Sequence, residues 1–164
     1  MSRGLGDALP AELAAALAAD DNEGFTVMLM SVGDDDWPHL SLLSVGEVVA
    51  MDARRLRMAL WPGSTAVRNL TRSGRGTLGM VVDEASYTVR VEVDARGVLA
   101  IADAGRRAVF EARVVESRAD VAPYAVIDTG IRFHLTEREP ALTRWAATRE
   151  ALRGLDTSGG AAGR

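Results

Sequence analysis

The run from Leu56 to Leu70, with Trp61-Pro62-Gly63-Ser64-Thr65 at its centre, carries the residues of this chain best suited to hold an anion. It reads as a buried strand, a Pro-Gly turn and a helix that starts at a capping serine. The first turn of such a helix has unpaired N–H groups and a partial positive charge, which together attract phosphate. Ser64 and Thr65 add hydroxyl donors, and Arg68, one turn further on, can reach a phosphate with its planar fork of donors. Trp61 stands just before the turn, where an indole can line the pocket of a planar ring. The same residues also make an ordinary capped surface helix, with Trp61 in the core and Arg68 in solvent. Local physics on its own favours that plainer arrangement.

Other constellations are weaker. Asp128-Thr129-Gly130 matches the short signature of aspartic proteases, in which two chains each supply one carboxylate to a shared-proton dyad. Ile131 follows where that family wants a small residue, and Asp and Gly are ordinary turn residues. His39 and His134 could join Asp34 to Asp36 at a metal, but isolated histidines and an acidic turn are more often structural or solvated, so no metal site is assigned. Arg54-Arg55 and Arg106-Arg107 read as solvated turn charges.

Composition closes several routes. There is no cysteine, hence no disulfide, thiolate metal site or thiol nucleophile. Every one of the 19 basic residues is arginine, so neither a Schiff-base lysine nor a P-loop lysine exists. A formal charge of −4 argues against a general nucleic-acid binder. With no apolar leader in Met1 to Leu13 and no long apolar run, the expectation is a soluble, cytoplasmic chain that does not span a membrane.

The elements that must position these residues follow from periodicity. Pro10 opens a helix with Leu9, Leu13 and Leu17 at helical spacing, and Gly24 is its expected stop. Strands are expected over 25–32, apolar on both faces, then 39–45, continued by 47–51, and 56–61. After the short helix at 64–72 come 77–82, the clean alternation of Tyr87, Val89, Val91 and Val93, the strand 110–115, and a last strand carrying Ile131, Phe133 and Leu135. Pro140 starts a C-terminal helix with Leu142, Trp145, Leu152 and Leu155 on one stripe, and 157–164 reads as a disordered tail. About six to eight short strands with few helices argue for a mainly β fold closed into an antiparallel barrel.

The order of features resembles the pyridoxamine 5′-phosphate oxidase-like group of FMN-binding split barrels. The matching run begins at Met28-Leu29-Met30-Ser31-Val32-Gly33 and passes Trp37-Pro38-His39-Leu40-Ser41 and Gly46-Glu47-Val48-Val49-Ala50. It ends in Trp61-Pro62-Gly63-Ser64 and Arg68-Asn69-Leu70, so it covers roughly residues 25 to 82, with weaker similarity to Leu135. The resemblance implies a single split-barrel domain over 1–156, antiparallel, with N- and C-terminal helices packed outside. It implies FMN, another flavin or a deazaflavin, with its phosphate at Ser64, Thr65, Arg68 and Asn69 and its ring beside the backbone of Leu60 and Trp61. It also implies a homodimer with shared sites and, for an enzyme, an oxidoreductase acting on a small molecule; no catalytic residue is assigned. The alternative is a non-catalytic dimeric binding module that stores flavin or holds no cofactor.

The chain departs from the oxidase at Thr65 and Ala66, where basic residues follow the loop serine, and at Ser41 and Gly46, where basic residues stand on the preceding strand. A charged hydrogen bond contributes about 1.5–3 kcal/mol. Phosphate binding therefore needs a substitute cation: Arg68, Arg57 or an arginine of the partner chain.

Overall fold

The computed structural model describes residues 1–155. Residues 157–164, expected to be a disordered tail, lie outside them. The sheet is built from β1 (Ser2–Gly6), β2 (Thr26–Val32), β3 (Pro38–Ser44), β4 (Val48–Ala50), β5 (Arg55–Leu60), β6 (Arg75–Val82), β7 (Ala85–Ile101) and β8 (Gly105–Asp120). Its order is β3-β2-β6-β7-β8-β5-β4, with β1 also paired to β8, and the ladders are antiparallel. No ladder among the described residues joins β3 to β4, so the curled sheet is split there rather than closed by hydrogen bonds. The helices are α1 (Ala11–Ala18), α2 (Thr65–Ser73) and α3 (Arg138–Gly154).

Alternation decides what enters the core. Val27 and Leu29 of β2, Leu78 and Met80 of β6, the expected Tyr87, Val89, Val91 and Val93 of β7, and Phe110, Ala112 and Val114 of β8 all turn inward. Leu13 and Leu17 of α1 and Ala66 and Leu70 of α2 join the same cluster. A second cluster, Val49, Ala59, Val109 and Leu152, lies on the other face of β4, β5 and β8, under α3.

Four expectations need correction. Helix α1 ends at Ala18, before Gly24. That glycine instead serves the entry to β2, with φ of +83° and no room for a Cβ, which would lie 2.8 Å from the Phe133 carbonyl oxygen. Glu47 to Met51 does not continue β3. It turns at Ser44, whose carbonyl accepts from the Glu47 N–H, and returns as β4 along β5. The segment with Ile131, Phe133 and Leu135 forms no strand, only a bridge between Phe25 and Arg132. Strand β2 pairs with β3 along Thr26–Val32 and with β6 at Met28–Met30, and the segment meets the sheet at Phe25, outside both ladders. Finally, α3 buries Ala141, Thr148, Arg149 and Leu152, a stripe rotated from the expected one; Leu142, Trp145 and Leu155 are half-buried.

Strand β2 is apolar on both faces as expected, yet only one face is covered. Met28 and Met30 are half-buried and Val32 is exposed, and their partners on β3, Leu42 and Leu40, stand 55% and 53% exposed.

Candidate functional site

Strand β5 delivers the loop. Leu60 is buried in the main core and forms the last β5–β8 pair, with Ala108. The chain then turns so that the Ser64 N–H donates to the Trp61 carbonyl at 3.0 Å. Ser64 is extended and its Oγ accepts the Val67 N–H at 3.3 Å, which is the cap the sequence called for. At the other end Gly74 adopts the left-handed conformation and its N–H closes on the Leu70 carbonyl. The helix is therefore held at both ends, and Ala66, Asn69 and Leu70 anchor it inward. Arg72 ties it to the β2–β3 turn through the carbonyls of Val32 and Gly33 and an ion pair to Asp34.

Arg68 folds back over the first turn of α2. Its Nη1 donates to the Gly63 carbonyl at 3.1 Å and its Nη2 to Thr65 Oγ1 at 2.8 Å. The Thr65 hydroxyl accepts that bond and keeps its own proton to donate. The N–H groups of Thr65 and Ala66 have no acceptor within the helix. Hydroxyl, guanidinium and helix N–H groups are thus gathered in one turn, a donor set that fits a phosphate.

The other expected site residues are placed differently. Asn69 turns inside and donates from Nδ2 to Ser31 Oγ at 3.1 Å, fixing α2 against β2. Trp61 is not in the core: it is 65% exposed, with the Arg107 guanidinium carbon 4.8 Å from its ring centroid. Arg57 is only 2% exposed and points under α3, where it bonds Glu111 and the carbonyls of Leu152 and Leu155, so it is no substitute for the absent phosphate cations. Two departures from the oxidase pattern gain a physical reason. Ala66 lies in the main core, and a Cβ at Gly46 would fall 2.2 Å from Trp145 Cδ1. Those positions are filled with packing, not solvent.

Arg107, expected to be a solvated turn charge, is instead half-buried on β8 over Trp61, and sequence reasoning also missed Glu47, which feels its field. Arg107 reaches Trp61 only through the β5–β8 pairing, which no local spacing reveals. Glu47 precedes β4, and its carbonyl accepts the Ala59 N–H. Burial pushes the Glu47 carboxyl up, against the opposing bonds from the Ser44 N–H and Oγ and the field of Arg107.

Asp128, Thr129 and Gly130 lie on an irregular stretch lining a hollow of 160 Å³ with Asp83, Glu84 and Arg132. No group of three or more His, Cys, Asp or Glu among the described residues could hold a metal. No helix among them is long and apolar enough to cross a membrane. A larger groove of 580 Å³ lies at the far end of α2, between Ser73, Arg75, Arg90, Met30 and Val115.

No family model matches the chain. The uncharacterized protein YclD of Bacillus subtilis (strain 168) is 33% identical over 126 residues, spanning 77% of this chain and 81% of YclD. Among solved structures, a candidate pyridoxamine 5′-phosphate oxidase from Lactobacillus delbrueckii superposes with a TM-score of 0.55 at 16% identity, covering 70% of this chain and 98% of its own. A single-residue variant of HupZ from Group A Streptococcus gives a TM-score of 0.55 at 11% identity, covering 68% of this chain and 99% of its own. At such identities the structural likeness speaks for the fold. The chain belongs to the same family as YclD, and its architecture is the pyridoxamine 5′-phosphate oxidase-like split barrel.

Proposed function

We propose that this chain binds FMN, or a related flavin or deazaflavin, with the phosphate at the start of α2 and the ring beside Leu60 and Trp61. The observation that carries this reading is Arg68 folded onto Thr65 at the capped N-terminus of α2. A phosphate there accepts from the N–H groups of Thr65 and Ala66, the Thr65 hydroxyl and the Arg68 guanidinium. Ser64 holds the turn through its cap, and Asn69 fixes the helix from inside through Ser31. When bound, a flavin supplies hydride or electron transfer, and the chain binds and orients it. The function this serves is that of an oxidoreductase acting on a small molecule.

The reading includes a homodimer with shared sites. Its support is the uncovered apolar face of β2 and β3, where Leu40, Leu42 and Val32 stand exposed beside Trp37, which is 74% exposed. A flavin-storage or cofactor-free module is the second reading. It draws on Thr65, Ala66 and Gly46, which leave the loop fewer cations than the oxidase pattern has.

Titration with FMN and with riboflavin tests the phosphate claim. Arg68→Ala should weaken FMN about tenfold or more, the worth of one charged hydrogen bond, and leave riboflavin nearly unchanged. Equal FMN affinity in the variant and the parent would move the phosphate elsewhere.

A further inference from the structure

Trp61 and Arg107 form a feature that the fold does not require. Beyond the last β5–β8 pair, Leu60 with Ala108, these two residues are the next to face each other. Trp61 and Ser64 bracket one turn through the bond from the Ser64 N–H to the Trp61 carbonyl. Arg107 is therefore tied to the loop that opens α2. An indole left mostly in water contributes little to the core, and this one holds a guanidinium over its ring.

Neither cation at the loop is closed by a direct ion pair, and the carboxylate shown to feel Arg107 is Glu47. The chain is acidic overall, and most of its arginines are in ion pairs, such as Arg54 with Asp7, Arg90 with Glu116 and Arg149 with Asp20. Arg68 and Arg107 make no ion pair among the described residues. Arg68 bonds Gly63 and Thr65, and Arg107 donates to the Arg106 carbonyl. Glu47 feels the field of Arg107, but its bonds go to Ser44. Two guanidiniums thus serve the two ends of one turn, Arg107 at Trp61 and Arg68 at Thr65. The positions that carry cations in the oxidase pattern are closed by packing at Ala66 and Gly46.

We infer that Arg107, held over Trp61, is the second cation of the ligand site and that Trp61 supplies its ring face. The inference rests on reading the start of α2 as a phosphate site. It adds a second cation to that site, supplied from β8 as well as from α2. Stacking on Trp61 limits where the guanidinium can point, so less freedom is lost when its free N–H groups meet an anion.

The test is titration of FMN and riboflavin into the intact protein and its Arg68→Ala, Arg107→Ala, Arg107→Lys and Trp61→Leu variants. Thermal unfolding serves as the folding control. Arg107→Ala should weaken FMN about tenfold or more, with riboflavin changed less than about twofold. Arg107→Lys should recover part of the loss, and Trp61→Leu should weaken both ligands. Unchanged FMN affinity in Arg107→Ala, alongside a loss in Arg68→Ala, overturns the inference and leaves the α2 site standing. Equal losses of FMN and riboflavin in Arg107→Ala also overturn it, because the cation would then serve the ring and not the phosphate. Failure of the unaltered protein to take up FMN overturns both readings, and that result appears in the parent protein before any variant is compared.

Discussion

Arg57 donates to Glu111 and to the carbonyls of Leu152 and Leu155, so a buried guanidinium closes the C-terminus of α3. Arg149 does the same for α1, donating to the carbonyls of Leu17 and Ala18 and to Asp20. Replacing Arg57 by Met would leave two carbonyls without their donor and Glu111 with only the more distant Arg55 and Arg96, each at 3.9 Å. The expected loss is about 3–5 kcal/mol in urea unfolding, and FMN affinity measured under folding conditions should not change. Gly46→Ala is a second residue-scale prediction. The added methyl meets Trp145, and the expected cost is about 1–3 kcal/mol. Gly63→Ala, which meets nothing within 4 Å, should stay within about 0.5 kcal/mol of the parent. At this scale the Ser64 cap and the reach of Arg68 were legible, because both depend on residues within five positions of each other. The place of Arg57 was not, since its carbonyl partners lie 95 and 98 residues away.

At the scale of elements, α1 is latched to β7 by the Tyr87 hydroxyl, which donates to Glu12 Oε1 at 2.6 Å. Burial, then the bond to Glu12, pushes the Tyr87 pKa up to about 12, and the same bond holds the Glu12 carboxyl below its usual range. A phenol whose folded pKa is raised favours the folded state below its unfolded pKa near 10 and loses that contribution as pH climbs towards 12. Glu12 contributes above its ordinary carboxylate range and loses its share as pH falls through its lowered pKa. Thermal unfolding followed from about pH 9 to about pH 12 should show a fall in Tm that Tyr87→Phe flattens; an identical fall in the variant would remove the latch from the account. Tyr87, Val89, Val91 and Val93 were readable as one strand face because period two survives in sequence. β1 was not readable: Ser2-Arg3-Gly4-Leu5-Gly6 has no strand signal and is extended by pairing with β8. Ile131 to Leu135 erred the other way, with an alternating pattern that meets the sheet only at the bridge between Phe25 and Arg132.

For the molecule as a whole, the split between β3 and β4 leaves β3 with an unpaired edge and an apolar outer face. A patch of that kind marks an interaction surface more often than isolated exposed residues do. The proposed dimer predicts that sedimentation equilibrium gives twice the chain mass for the parent. The double variant Leu40→Asp, Leu42→Asp should be a folded monomer, and a monomeric parent would remove the dimer. A curled antiparallel β fold was legible from strand count and alternation, and the turn at 61–64 with its Ser64 cap from local residues. The contribution of β8 to that loop was not, because strand pairing and not spacing brings Arg107 to Trp61. Visible absorption of the purified protein, before and after adding FMN and removing the unbound excess, tests the central claim most directly. The account predicts a retained, shifted flavin spectrum that approaches one FMN per chain at saturation. A protein that stays colourless after equilibration with FMN would contradict it.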